Sequence, residues 1–313
     1  MSHLSNRTIL EKADFALSTL VSSGGLLLPL QAKKFMQLTT TESVLLGQVT
    51  YRPMSRAREE IDQIAFGSRV LRAAQELTEL TVADRTVPDI SKVTLESKEF
   101  IGEVSLSDQV LEENIEQGDL RQTIMQLLGP AVGRDLEEVV INGDAASADP
   151  FLAQLDGIVT QAQSNVVDAA GAPVNDDLFH DMMKALPSRY RKNKRDLRFY
   201  TSSDAEANLR RFRSQRETAM GDKYLETDTP ILAAGTPVVQ VPLFPENLGP
   251  TLDQTVVILT HPKNIVVGVR RKVRIEWERS IRKRALAVVV TLEADVKYSE
   301  EAGVVKAINV SLS

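Results

Sequence analysis

Residues 273–298 read VRIEWERSIRKRALAVVVTLEADVKY, and they carry the clearest β-strand pattern in the chain. Val273, Ile275 and Trp277 alternate with charged residues, which is typical of a strand with one buried face. The basic turn Arg279–Arg284 then leads into a second long apolar stretch. The segment therefore predicts a long β-hairpin.

Further strands and helices are predicted on both sides of this hairpin. Residues 304–312 (VVKAINVSL) predict a closing strand, and residues 175–191 and 204–215 predict helices, the latter with a capping box formed by Ser203 and Glu206. A longer helix over 115–142 is predicted from apolar residues spaced by three, four and seven positions: Leu120, Ile124, Leu127, Leu128, Ala131, Leu136, Val139 and Val140. Gly129-Pro130 is expected to kink or split that helix, and Asn142-Gly143-Asp144 to close it.

A second, more polar hairpin is predicted between Arg69 and Val104. Its strands would lie in residues 70–82 and 90–104, joined by a tip at Asp84–Asp89, with Val93 and Leu95 on one face. An isolated hairpin of two strands is marginally stable in water. We therefore expect a neighbouring surface, such as another subunit, to support it.

The composition excludes several classes of protein. The net charge of −6 argues against a dedicated nucleic-acid-binding protein, and the absence of cysteine removes thiolate chemistry and disulfides. The uncharged stretch 15–32 is interrupted by Ser, Gly and Pro, so no membrane partner is expected. P-loop, dinucleotide-binding and nucleophile-elbow patterns are missing from the sequence. We therefore predict that the chain is not an enzyme and binds no cofactor.

One cluster resembles a metal site. Asp176, Asp177, His180 and Asp181 could share a helix face. The helix dipole, which favours negative charge at a helix N-terminus, is the stronger explanation of these acidic residues. The sequence therefore predicts no metal site, and metal-dependent hydrolysis is kept as an alternative.

Charges of opposite sign are grouped along the chain. Residues 184–198 hold seven basic residues and one acid, residues 270–284 hold eight and two, and residues 96–121 hold eight acids and two basic residues. A nucleic-acid groove would explain the basic groups, and solvated faces would explain both signs. Complementary surfaces between copies of the chain also explain both signs.

The order of these features resembles a known family. Gly24-Gly25 and Pro29 open an N-terminal arm, the projecting hairpin and a helix ending in EEVVINGDA follow, and DGIV stands at 156–159. Farther on come MGDKYL (220–225) and GTPVVQVPLFPE (235–246). From about Gly24 onward the chain resembles a tailed-bacteriophage major capsid protein with the Hong Kong 97-type fold.

The resemblance implies an α+β fold with four parts. An N-terminal helix and arm would occupy 1–45, and the extended loop 56–103. A peripheral domain, with the long helix and long hairpin, would combine 46–55, 104–146 and 256–302. An axial domain would combine 147–255 and 303–313.

The resemblance also implies a function and partners. The chain would self-assemble, as hexamers and pentamers, into the icosahedral head shell around viral double-stranded DNA, located in the virion and assembled in the host cytoplasm. Separate scaffolding, portal and decoration proteins, and non-specific contact with packaged DNA, are further expected partners. The charge groups give candidate subunit-contact residues: Arg69, Lys92, Glu96, Lys98, Glu112, Glu113, Arg279, Arg282, Lys283 and Arg284.

A second shell-forming class shares the same fold. An encapsulin-like nanocompartment encloses cargo enzymes instead of DNA, and encapsulins place an N-terminal helix near their cargo. The helix predicted over 6–21 is compatible with that function. The arm and the extended loop favour the viral shell.

Overall fold

The long hairpin predicted from the sequence is present in the computed structural model, which describes residues 43–65, 69–71, 89–107, 120–215 and 230–312. The strands are β1 (Thr50–Pro53), β2 (Arg58–Ala65), β3 (Asp89–Glu96), β4 (Lys98–Ser107), β5 (Val166–Asp168), β6 (Arg198–Thr201), β7 (Leu232–Ala233), β8 (Thr236–Gln240), β9 (Gln254–Thr260), β10 (Ile265–Ser280), β11 (Ala285–Tyr298) and β12 (Val305–Ser311). The α-helices are α1 (Leu120–Asn142), α2 (Ile158–Gln161), α3 (Asp176–Ala185) and α4 (Ser203–Ser214).

These strands form two sheets and a separate ribbon. The first sheet has the order β1-β10-β11-β4, with β10 and β11 antiparallel and β1 parallel to β10. The second sheet has the order β5-β12-β9-β6-β8-β7 and mixes parallel and antiparallel pairs. The ribbon is the β2–β3 hairpin. The architecture is therefore α+β.

Two apolar cores hold the layers together. The first core joins α1 and the four-stranded sheet to one side of the six-stranded sheet, through residues such as Val139, Ile275 and Ile258. The second core packs α3 and α4 on the six-stranded sheet, where Phe179 and Phe199 meet edge to face at 4.8 Å. Among the described helices, none is long and apolar enough to cross a bilayer.

Helix α1 differs from its prediction in two ways. Of the two predicted effects of Gly129-Pro130, a kink or a split, the split does not occur, since the helix continues through Pro130 over 23 residues. Ile124 and Leu136 lie on either side of Pro130 and are buried in the same core, and tertiary packing of this kind stabilises both halves. Leu127, which was predicted to be apolar core, is exposed.

The polar hairpin is present, but its first strand was predicted wrongly. The strand that pairs with β3 is β2, REEIDQIA at 58–65, and not residues 70–82. Charged residues of opposite sign face each other across this ribbon, with Arg58 opposite Glu96 and Asp62 opposite Lys92. Cross-strand charge pairs of this kind stabilise a strand that carries little apolar signal. Most of the predicted tip at 84–89 lies outside the described residues.

Two predicted boundaries also differ from the observed sheets. Residues 98–103 were assigned to the extended loop, yet they belong to β4, which pairs with β11 in the four-stranded sheet. Residues 256–260 were grouped with the long hairpin, yet β9 lies between β12 and β6 in the six-stranded sheet. Hydrogen bonding to neighbouring strands fixes both segments, and this long-range pairing is not visible in local sequence.

The N-cap of α4 lies one residue before its predicted position. The hydroxyl of Ser202, and not that of Ser203, accepts the backbone N–H of Ala205. The side chain of Glu206, which was predicted to complete the capping box, forms an ion pair with Arg210 at 2.6 Å. The helix itself occupies the predicted region.

Candidate subunit-contact surfaces

The β2–β3 hairpin is fastened to the body by buried carboxylates on β11. The backbone N–H of Glu96 donates to Oδ2 of Asp295 at 2.6 Å, and the hydroxyl of Ser97 donates to Oε2 of Glu293 at 3.3 Å. Glu293 also forms an ion pair with Arg270 at 2.8 Å. Burial raises the pKa of Asp295 above its usual range. The root of the hairpin is therefore held by specific polar contacts.

An apolar contact completes this root. Leu95 is fully buried against Met54 and Val266, with Ile61 of β2 packed beside them. Gly268 makes room for the contact, since a Cβ there would lie 2.7 Å from Sδ of Met54. The root of the β2–β3 hairpin is therefore packed against the body of the chain.

We predict that Leu95→Ala loosens the β2–β3 hairpin without unfolding the body. Removing a buried Leu side chain costs about 2–5 kcal/mol, and the small size of this cluster places the loss near the lower end. Hydrogen exchange should show faster exchange of β3 amides, with β11 amides little changed. Ile64→Ala is the matched control, because Ile64 lies on the same hairpin and is exposed. Equal protection in both variants would contradict the assigned role of Leu95.

Two predicted contact residues on the hairpin already have partners within the chain. Nζ of Lys92 lies 2.8 Å from Oε2 of Glu60 and 3.8 Å from Oδ1 of Asp62. This hydrogen bond and charge raise the pKa of Lys92 and lower that of Glu60. Glu96 pairs with Arg58 at 3.6 Å. The hairpin thus has an exposed, partly neutralised surface.

Two further predicted contact residues, Arg69 and Lys98, lie at the surface. Arg69 is exposed beside the exposed Val70 and Leu71, and Lys98 is exposed at the start of β4. Glu112 and Glu113 lie outside the described residues.

The turn between β10 and β11 is a strongly basic tip. Arg279, Arg282, Lys283 and Arg284 are all exposed, and Arg284 has a positive φ of 48°. Between these cations stands Ile281, whose surface is 88% exposed. Sequence analysis found the basic cluster but overlooked the isoleucine, although an apolar residue inside a basic turn is a visible signal.

A small apolar pocket lies between β4, β11 and α1. It has a volume of about 70 Å³ and surrounds Gly102; the apolar lining includes Phe100, Val132, Leu136, Phe151, Val290 and Leu292. The rings of Phe100 and Phe151 meet edge to face, with centroids 5.9 Å apart. Sequence analysis missed this pocket because its lining comes from separate parts of the chain.

The end of the predicted N-terminal arm is anchored on α1. Leu45 and Leu46 are fully buried, and the buried carboxylate of Glu137 accepts their backbone N–H groups, with Leu45 at 2.5 Å. Burial raises the pKa of Glu137, and burial together with this charge raises the pKa of Tyr51. Glu137 therefore joins the arm to the long helix.

The carboxylates of the metal-like cluster have other roles. Asp176 pairs with the buried Arg213 at 2.5 Å, and Asp181 pairs with Lys184 at 2.9 Å. Asn175 caps α3 by accepting the N–H of Leu178 at 2.8 Å. Within the described ranges, no group of three or more acidic, His or Cys side chains is arranged to hold a metal.

A larger cleft lies near the end of β11. It has a volume of about 610 Å³ and is lined in part by Tyr190, Lys192, His261 and Glu300. The hydroxyl of Tyr190 donates to Glu300, and burial together with this bond raises the pKa of Tyr190 to about 12. Nδ1 of His261 accepts the backbone N–H of Lys263 at 3.0 Å. These polar groups tie neighbouring turns together.

One family of known proteins matches most of the chain. The sequence profile of the phage capsid family matches residues 24–307. The chain is 38% identical over 309 residues to YqbE of Bacillus subtilis (strain 168), a protein named as a prophage capsid protein; 97% of this chain and 99% of YqbE are covered.

Solved structures share the fold at low sequence identity. A capsid chain of the satellite phage P4 procapsid, which includes the size determination protein Sid, matches with a TM-score of 0.68 and 13% identity, covering 98% of each chain. An encapsulin from Synechococcus elongatus PCC 7942 matches with a TM-score of 0.57 and 14% identity, covering 84% of this chain and 86% of that one. Both likenesses bear on the fold, which is that of the Hong Kong 97-like capsid proteins.

Proposed function

Because the chain belongs to the phage capsid family, we propose that it self-assembles, as hexamers and pentamers, into the icosahedral head shell around double-stranded DNA. The β2–β3 hairpin is the single observation that best supports assembly. It is a separate two-stranded ribbon on which Ile64 is exposed, and such ribbons need a supporting surface. A neighbouring copy would provide that surface.

The two sheets support the assignment of a peripheral and an axial domain. The four-stranded sheet and α1 would form the peripheral domain, and the six-stranded sheet with α3 and α4 would form the axial domain. The predicted contact residues would act at the surface of the β2–β3 hairpin, through Lys92 and Glu96, and at the basic tip. Their exposure supports this role.

The remaining partners follow from the same proposal. The shell would be assembled in the host cytoplasm, with separate scaffolding, portal and decoration proteins as further partners. Contact with packaged DNA would be weak and non-specific, and it would be weak because a net charge of −6 repels phosphate overall. We also propose that the chain has no enzymatic role, and the structural pairing of Asp176 and Asp181 supports this.

The encapsulin alternative receives less support. Its likeness to this chain is one of fold at 14% identity, whereas the prophage relative is 38% identical over nearly the whole chain. Neighbouring genes distinguish the two functions directly. Terminase and portal genes beside this one would support the phage shell, and a cargo-enzyme gene would support the nanocompartment.

Self-assembly is tested on the purified chain by sedimentation velocity and negative-stain microscopy. We expect pentamers, hexamers or closed shells at low salt, and weaker association at high salt, because exposed charges are screened over about 10 Å at 0.1 M salt. A monomer that persists at high protein concentration and low salt would overturn the proposal.

A further inference from the structure

The pocket around Gly102 is open because β4 has no side chain at that position. A Cβ added to Gly102 would meet no atom within 4 Å. Apolar side chains of α1, β4 and β11 surround the empty space, and Ile101 beside it is 74% exposed. A pocket of about 70 Å³ has room for the end of one aliphatic side chain.

A side chain suited to this pocket stands at the basic tip. Ile281 is 88% exposed and occupies the outermost turn of the β10–β11 hairpin. The backbone N–H of Lys283 donates to the hydroxyl of Ser280 at 3.4 Å, which shapes the turn. The isoleucine is thus presented on a structured tip.

The tip cannot reach the pocket of its own chain. In the four-stranded sheet Ala285 pairs with Ser107, while Val290 pairs with Gly102. Five residues of strand separate these pairs, a distance of about 17 Å at about 3.3 Å per residue. Because β11 and β4 are hydrogen-bonded along this whole stretch, Ile281 is held at the far end of the sheet.

One carboxylate stands at the rim of the pocket. Asp135 of α1 lines the pocket and is exposed, with its Oδ1 3.2 Å from Arg134. Arg282 and Lys283 follow Ile281 directly. The two cations of an incoming tip would therefore meet the carboxylate of Asp135, and attraction between opposite charges orients a partner.

We propose that Ile281 of one copy inserts into the Gly102 pocket of a neighbouring copy. This contact rests on the proposed self-assembly and specifies one of its interfaces. The tip and the pocket lie at different places on the chain, and in this arrangement each copy gives its tip to one neighbour and its pocket to another. Such head-to-tail contacts close into rings or extend through a lattice.

The absence of cysteine allows a direct covalent test. The double variant Gly102→Cys/Ile281→Cys is assembled under the conditions that give shells with the unmodified chain, oxidised, and run on a denaturing gel without reductant. A disulfide requires Cα atoms about 4.4–6.8 Å apart, so the intrachain bond is excluded by the separation of about 17 Å. We expect a ladder of dimers, trimers and larger species that reductant removes.

Three controls make the ladder specific. Gly102→Cys and Ile281→Cys alone can form dimers at most, which reveals any pairing between identical positions. Ile281→Cys combined with Leu252→Cys places the second thiol on another exposed apolar position. A ladder in this combination as strong as that of the Gly102 pair would overturn the proposal.

A non-covalent variant gives an independent measurement. Ile281→Ser should raise the protein concentration needed for assembly by about tenfold, since burying one isoleucine is worth about that factor or more. Two results together would overturn this contact and leave the proposed function intact. They are normal shell formation by Ile281→Ser, and shells of the double-cysteine variant that still run as monomers after oxidation. Failure of the unmodified chain to assemble would overturn both. Full cross-linking only after residues 1–42 are removed would show that the arm occupies the pocket instead.

Discussion

Gly157→Ala should destabilise the folded chain by at least about 3 kcal/mol, the upper range for overpacking a filled interior. The turn after α1 and the turn before α2 cross backbone against backbone. A Cβ on Gly157 would lie 2.5 Å from the carbonyl oxygen of Ile141 and 2.7 Å from the backbone nitrogen of Gly143. These are main-chain atoms, which cannot move aside as a flexible side chain would.

Hydrogen bonds also hold the turn after α1 against the turn before α2. The backbone N–H of Gly157 donates to the carbonyl of Gly143 at 2.8 Å, and Oγ1 of Thr160 donates to the same carbonyl at 2.8 Å. A Cβ on Gly143 would in turn lie 2.4 Å from the carbonyl oxygen of Leu155. Any shift that accommodates a methyl group must break this arrangement.

Urea unfolding of the unassembled protein measures the effect. Gly102→Ala is the matched control, because its added methyl group meets no atom, and it should change the free energy of unfolding by less than about 1 kcal/mol. A Gly157→Ala variant as stable as this control would show that the two turns separate easily, contrary to the structure.

The same crossing shows what the sequence could predict. Asn142-Gly143-Asp144 and the DGIV motif were recognised as turn and family signals, and the helix does end at Asn142. Their contact with each other was not predicted, since local sequence reports a turn but not which distant backbone it touches. The alternation of Val273 and Ile275 was sufficient for the long hairpin because these two residues are buried on one face of the strand, with the partly buried Trp277 packed against the same core.

Charged strands and shared pockets were harder to predict. β2 carries Arg58, Glu60 and Asp62, which read as surface, yet cross-strand partners on β3 stabilise the pairing. For the candidate contact surfaces, the basic tip was predicted because its cations are consecutive in sequence. The pocket around Gly102 was not, since it depends on packing among three elements.

Glu137→Ala should cost about 2–3 kcal/mol, because it leaves buried backbone donors without an acceptor. Glu137 is only 4% exposed, and its carboxylate accepts the backbone N–H groups of Leu45 and Leu46. Both leucines are fully buried, so they cannot turn these donors to water without leaving the core. Glu138→Ala is the matched control at the next, half-buried position of α1. Urea unfolding should separate the two variants, and equal stability would remove Glu137 from its anchoring role.

The anchor should also respond to pH with a definite sign. Burial raises the folded-state pKa of Glu137 above its ordinary value of 4.5. A group with a raised folded pKa stabilises most below its unfolded pKa, and this contribution is lost as the pH rises through the folded value. Glu137→Gln keeps an acceptor oxygen and does not titrate. Acidification from neutral pH should therefore raise the free energy of unfolding of the unmodified chain relative to Glu137→Gln, and a difference that stays constant or reverses would contradict a buried, titrating anchor.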